Sequence, residues 1–310
     1  MKKIFIICSF SFLTLLFGCN TDKIQEKLGY VTKSDVDSLM SGMSQKIDSL
    51  SQLVVCLVQD ADNKKKDTRP LFSVSASDRV FFSKGNLQYQ PINGIWRFAE
   101  NQYDVIGQDN EKISPKYTGW IDLFGWGTSG WKDAAKPSDV SPDYKNYFVG
   151  GGNTNSLTGF YAQGDWGVFN RISNGGNVEG RWRTLTFDEW DYLLFKRNRA
   201  SQLNYHAQID SVNGLVLLPD NWAKEPETGF RQYTVEEWSA LETDGAVFLP
   251  EAGFRQVRNV LGVNSYGLYW ASTAGEFGAV YIQIDTASVS VCGSYRGSGR
   301  SVRLVRPLEE

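Results

Sequence analysis

Between residues 279 and 292, apolar and polar side chains change places at almost every step. Val280, Ile282 and Ile284 alternate with Tyr281, Gln283 and Asp285, and Val289 and Val291 alternate with Ser288, Ser290 and Cys292. A period of two belongs to a strand with one covered face and one wet face. The segment therefore predicts a hairpin. Its β-branched set fills a core, and Tyr281, Gln283, Asp285, Ser290 and Cys292 face outward. Ser294 and Tyr295 are expected at its tip, after Gly293. The outward set has no catalytic logic and reads as a binding surface on a rigid frame. Gly267 to Thr273 leads into the hairpin, and Ser301 to Arg306 is expected to close it.

Upstream, Phe72 to Ser75 and Val80 to Ser83 read as strands. Leu87 to Gln90 and Ile95 to Phe98 flank Pro91-Ile-Asn-Gly94, a hairpin signal. Two helices are signalled by capping boxes, Thr186 with Glu189 and Thr234 with Glu237, and Trp190 and Trp238 follow as core anchors. Further strands are expected at Gly214 to Leu218 and Ala246 to Pro250. Trp120 to Trp131 reads as irregular chain packed on the core, and Asp133 to Asn177 as long loops. Two helices among many short strands predict an α+β domain over residues 71–308.

The N-terminal end has a different organisation. Lys2 and Lys3 precede an apolar run from Ile4 to Phe17, too short to span a bilayer but suited to a signal-peptide core. Its ending, Leu16-Phe17-Gly18-Cys19, resembles the lipobox of bacterial lipoproteins. The resemblance implies that residues 1–18 are a signal peptide and that Cys19 is acylated. Acyl chains contribute about 0.8 kcal/mol per buried CH₂, enough in pairs to anchor the chain on the outer membrane of a Gram-negative envelope. Residues 19–33 then read as a tether. Ser34 with Asp37 reads as a capping box, and Val36, Leu39, Met43, Ile47, Leu50, Val54 and Leu57 recur at three and four residues. Residues 34–59 are expected to form a helical stalk of roughly 40 Å, a short coiled coil that makes homo-oligomers or a helix that docks on its own domain. Residues 60–70, charged and without large apolar side chains, read as a linker.

Composition restricts the function. A net charge of −3 gives no electrostatic footprint for nucleic acid. Ten tryptophans are enough for a substantial core. Cys8, Cys19, Cys56 and Cys292 lie in unrelated segments, which argues against a disulfide framework. No Cys or His cluster has zinc spacing, and Gly150-Gly-Gly152 lacks the setting of a phosphate loop. His206, the one histidine, sits in a polar stretch without a nucleophile motif and reads as surface. No catalytic residue, metal or cofactor is expected.

Arg181-Trp-Arg-Thr-Leu-Thr-Phe-Asp-Glu-Trp-Asp-Tyr-Leu-Leu194 and Gly299-Arg-Ser-Val-Arg-Leu-Val-Arg306 resemble signatures of the formylglycine-generating-enzyme family, which has a C-type-lectin-like fold. Phe82 to Tyr89, Trp120 to Gly127, Leu218 to Trp222 and Tyr269 to Thr273 resemble segments of surface lipoproteins of gut anaerobes, some of them variable proteins of diversity-generating retroelements. The family's enzyme uses a pair of copper-binding cysteines; this domain has only Cys292. The resemblance therefore implies the fold and a binding role rather than the reaction. In the diversified relatives asparagine codons are rewritten at adenines. Tyr281, Asp285, Ser288, Ser290, Cys292, Gly293, Ser294 and Tyr295 can each arise that way, whereas Glu276 and Gln283 cannot. The candidate ligand-binding residues are thus Asn259, Asn264, Tyr266, Leu268, Tyr281, Gln283, Asp285, Ser288, Ser290, Cys292, Ser294 and Tyr295. The expected ligand is a protein or a glycan. A structural lipoprotein of the envelope or of fimbriae, without a diversified site, is the alternative, and a degenerate enzyme of the formylglycine-generating type is a third reading.

Overall fold

The computed structural model describes residues 33–65, 70–132, 135–225, 229–276 and 278–308, with side chains of the first segment described as far as Val54. The leader, Cys19 and the tether as far as residue 32 lie outside the described residues, as do the side chains of Cys56 and Leu57. The chain divides into a unit ending at Thr68 and a unit beginning at Arg69.

In the first unit, helix α1 spans Lys33–Lys65. It begins before Ser34 and continues through residues 60–65, so both the expected cap position and the start of the expected linker are corrected. Lys and Ala are good helix formers, and cations at a helix C-terminus oppose the negative end of its dipole, so the run from Asp60 to Lys65 continues the helix. Every described side chain from Lys33 to Val54 is exposed, including the apolar stripe of Val36, Leu39, Met43, Ile47, Leu50 and Val54.

The second unit is mixed α+β, built mostly of short antiparallel strands. Strands β1 (Phe72–Ser73) and β2 (Arg79–Phe82) precede a hairpin of β3 (Leu87–Gln90) and β4 (Ile95–Phe98), whose turn is the expected one. Short helix α2 (Trp166–Phe169) lies within the stretch read as long loops, which also holds single helical turns. Strand β5 (Arg183–Thr184) leads into α3 (Phe187–Asp191), which runs on to Lys196 as a π-turn. Strands β6 (Asn204–Ile209), β7 (Val212–Leu217) and β8 (Arg231–Tyr233) precede α4 (Val235–Thr243) and β9 (Val247–Pro250). Both capping boxes are formed, and Trp190 and Trp238 are buried. After the pair β10 (Phe254–Gln256) and β11 (Asn259–Leu261) come β12 (Tyr266–Ala274), β13 (Ala279–Asp285), β14 (Val289–Ser294) and β15 (Leu304–Pro307).

Two sequence readings change here. β15 does not close the C-terminal hairpin. It lies between β2 and β5, pairing Val305 with Phe82 and Leu304 with Thr184. Leu304 and Val305 are both fully buried, so consecutive positions are covered and alternation gives no guide to the partner. His206 is not on a loop but in β6, antiparallel to β7 and parallel to β8. The alternation was present there: Tyr205, Ala207 and Ile209 are buried, with Asn204, His206 and Gln208 half-buried between them. Apolar residues collect in three clusters, and two of them meet the C-terminal sheet from opposite sides. Trp96, Phe124, Trp126 and Trp166 gather with Trp270 and Tyr281, while Leu193, Leu215 and Val305 gather with Ile282 and Ile284.

Candidate ligand-binding surface

Strands β12, β13 and β14 form an antiparallel meander in that order. Tyr266 is paired with Asp285, Leu268 with Gln283 and Trp270 with Tyr281; Gln283 is paired onward with Ser290 and Tyr281 with Cys292. Directly opposed residues share a side of the sheet. One side therefore carries Tyr266, Leu268, Tyr281, Gln283, Asp285, Ser290 and Cys292, a grouping that follows the alternation.

That side is only partly open. Leu268 is buried, and Tyr281 is 9% exposed, so the expectation that these two meet solvent is corrected. The chain after β14 returns along β12: the Trp270 N–H donates to the Ser301 carbonyl at 3.1 Å and the Ser301 N–H donates to the Leu268 carbonyl at 2.9 Å. This return lays the buried Arg300 guanidinium 3.9 Å from the Tyr281 ring centre and 4.6 Å from that of Trp270. The Trp270 and Tyr281 rings meet edge to face, 6.1 Å apart. On the opposite side Ile282 and Ile284 are fully buried, whereas Val280, Val289 and Val291, expected in the core, are half-buried. Val289 and Val291 lie on the outer strand, beyond which no further strand pairs among the described residues.

The remaining predicted residues fall into separate groups. Ser288 is exposed, and Tyr266, Gln283 and Asp285 are at least partly open at the turn end of the sheet. The Asp285 carboxylate accepts from the Ala287 N–H at 3.1 Å and from the Ser288 N–H and hydroxyl at 2.9 Å, and the Ala287 amide above all holds its pKa below the ordinary value. Asp285 thus braces the Thr286–Ala287 turn, which is the actual tip of the hairpin. Asn264, at φ 63°, accepts from the Asn213 N–H at 2.6 Å and donates to the Ser211 carbonyl at 3.1 Å, so its amide ties loops together. Asn259 is exposed in β11, opposite Gln256. Close to the turn end, burial pushes Glu251 up to about 7, with the Asp285 charge adding to it, and its Oε2 has no partner among the described residues. Burial lowers His206 against the opposing pull of Asp285.

Ser294 and Tyr295 lie not at the hairpin tip but at the opposite end of the sheet. The seven residues of β13 separate the two ends by roughly 20 Å at about 3.3 Å per residue. At this far end Ser294 and Tyr295 divide two clefts. One, of about 420 Å³, is bordered by Val140, Ser141, Pro142, Gln256, Val257 and Ser298. The other, of about 370 Å³, is bordered by Gly275, Glu276, Gly278, Ala279 and Gly293. Tyr295 is 42% exposed, yet its position is fixed. Its hydroxyl donates to the Pro142 carbonyl at 3.1 Å, and its ring meets Tyr147 edge to face at 6.5 Å. Behind it Arg296 is buried, 4.3 Å from the Trp126 ring centre and 5.2 Å from that of Phe148. Its Nε donates to the Gly278 carbonyl at 2.9 Å, its Nη2 contacts the Asn153 carbonyl, and its Nη1 has no partner among the described residues. Burial lowers the Arg296 pKa to about 10, which leaves it charged at neutral pH.

Sequence reasoning missed Val140, Pro142, Gln256, Val257 and Arg296. The Tyr295–Pro142 hydrogen bond joins residues 153 positions apart, and no local pattern announces such a pairing. Among the described residues, no group of three His, Cys, Asp or Glu side chains is placed to hold a metal ion. In comparisons with known proteins no family model matches the chain, and neither a curated protein nor a solved structure does so.

Proposed function

We propose that this chain is a lipid-anchored surface protein whose C-type-lectin-like domain binds a protein or glycan at the Ser294–Tyr295 end of its C-terminal sheet. One observation carries the reading: Tyr295 is an open aromatic side chain, held by Pro142 and Tyr147 between two clefts. A fixed aromatic loses little freedom on binding, and such residues are frequent hot spots. Gly293, Ser294 and Tyr295 are also among the positions that adenine rewriting of an asparagine codon can produce, which supports a diversified site. The lipid anchor rests on the lipobox at Cys19, and the stalk on the exposed apolar stripe of α1.

The test is a binding screen of wild type against glycan and surface-protein libraries, repeated with Tyr295→Ala. Loss of the best hits with an unchanged melting curve supports the reading. Unchanged binding by Tyr295→Ala removes this end of the sheet from the site. Metabolic labelling with a fatty-acid analogue should tag wild type and not Cys19→Ser, and equal labelling would remove the lipid anchor.

A further inference from the structure

Strand β14 is an outer strand of its sheet, and the ladder beside it fixes which of its backbone groups are free. The Asp285 N–H donates to the Ser288 carbonyl at 3.0 Å. Antiparallel ladders alternate bonded and non-bonded pairs, so Gln283–Ser290, Tyr281–Cys292 and Ala279–Ser294 are the bonded ones. The same alternation on β12 agrees, because Leu268 and Trp270 bond away from β13, to Ser301. The N–H and C=O groups of Val289, Val291 and Gly293 therefore point out of the sheet, and no described residue bonds to them.

Edge strands that stay single carry a charge, a proline, a bulge or very few residues. β14 has six residues, Val-Ser-Val-Cys-Gly-Ser, and pairs with β13 in unbroken register. It has no charge and no proline. A Cβ on Gly293 would meet nothing within 4 Å, so the face of the sheet is open beside this end of the strand. A row of outward amides and carbonyls at strand spacing is complementary to another extended backbone.

We propose that β14 pairs antiparallel with β14 of a second copy of this chain, about a two-fold axis at Val291, joining two three-stranded sheets into one of six. The sequence is suited to this operation. Val291 meets Val291, Val289 meets Gly293 of the second copy, and Ser290 meets Cys292. A two-fold normal to the sheet keeps its sides, so valines join valines on one side and the small Ser and Cys side chains adjoin on the other. An uncharged strand brings no like charges together when it meets itself. This inference does not rest on the ligand reading; its failure would leave the Tyr295 surface as proposed.

Cysteine cross-linking tests the register. The full chain in detergent, with Cys8, Cys19 and Cys56 replaced by Ser, would be oxidised mildly with and without Ser290→Cys. The new thiol faces Cys292 of the second copy, so most chains should become covalent dimers joined through positions 290 and 292. The same chain with Ser290 intact should give at least tenfold less. Association through α1 alone would not select that pair. Val291→Pro removes an outward N–H without touching the bonds to β13, and should lower the dimer yield tenfold while a cooperative thermal melt shows the fold retained. Amide exchange of the wild-type chain gives a second reading: Val289, Val291 and Gly293 should become protected as concentration rises. Monomers only on oxidation, equal yields with and without Ser290→Cys, or fast exchange of the three amides at every concentration would each overturn the proposal.

Discussion

β12 and β14 belong to the same three-stranded meander, yet only one of them is core. From Gly267 to Ser272 every residue of β12 is buried, while no residue of β14 is. The difference does not lie in how apolar the strands are at their alternating positions, since Val289 and Val291 of β14 are as apolar as their counterparts. It lies in what comes back to cover them. β12 is flanked by β13 on one edge and by the returning Ser301 on the other, with a cluster on each side of the sheet. Among the described residues β14 has β13 as its one strand partner. Alternation therefore identifies a strand, and the return of distant chain decides which residues meet water.

The sharpest way to break this contrast is to truncate a tyrosine at each end of it. Tyr281→Ala empties a site between Trp270 and Arg300 and should cost about 3–5 kcal/mol, the usual range for removing a buried aromatic ring. A loss below about 1 kcal/mol in urea denaturation would show that the return of Arg300 leaves this side of the sheet open after all. Ile282→Ala, on the opposite side, should cost about 2–5 kcal/mol.

The turn end offers a pH test. Burial raises Glu251 from 4.5 to about 7 in the folded protein. Between these values the folded state holds more protons than the unfolded one, so stability falls as pH rises from about 4.5 to 7. At 1.36 kcal/mol per unit the change is up to about 3 kcal/mol. Asp122 and Asp165, raised by burial to about 6, act in the same direction. Denaturation of Glu251→Gln at pH 4.5 and pH 8 should show a clearly smaller difference than wild type. An equal difference would assign the slope to the other buried carboxylates.

Smaller effects belong to the open strand. Val289→Ala should cost about 1 kcal/mol, because that side chain is only half-buried and a fully buried valine contributes about 1.5–3 kcal/mol. Tyr295→Ala should move stability by less than about 0.5 kcal/mol, as exposed positions do, while removing ligand binding. Thermal melts of the two variants beside Tyr281→Ala would rank the three sites on one scale.

What could be read from the chain alone follows the same division between local and distant. The capping boxes at Thr186 and Thr234, the Pro91–Gly94 turn and the alternation of β13 and β14 are signals within a few residues, and each structure they predict is formed. Pairings across long separations were not legible. Nothing near Leu304 announces β2, and nothing near Tyr295 announces Pro142. Tyr281 was misread because its cover, Arg300, is a residue type that ordinarily marks a surface. Here the guanidinium is buried flat against aromatic rings. Of the candidate site, Ser294 and Tyr295 were legible as polar and aromatic residues beyond a strand, whereas the clefts beside them are made by chain from elsewhere.

The place of β15 has a consequence for assembly. β1 and β2 are made early in the domain, but the strand that joins β2 to β5 comes more than two hundred residues later. A chain that stops short of Leu304 leaves two strands of that sheet with open inner edges. Loops of this length close slowly, so completion of this sheet should limit the rate at which the domain matures. Tyr295 lies between β14 and β15, so the strand on one sequence flank of its segment belongs to the C-terminal meander and the strand on the other closes the sheet of β2 and β5.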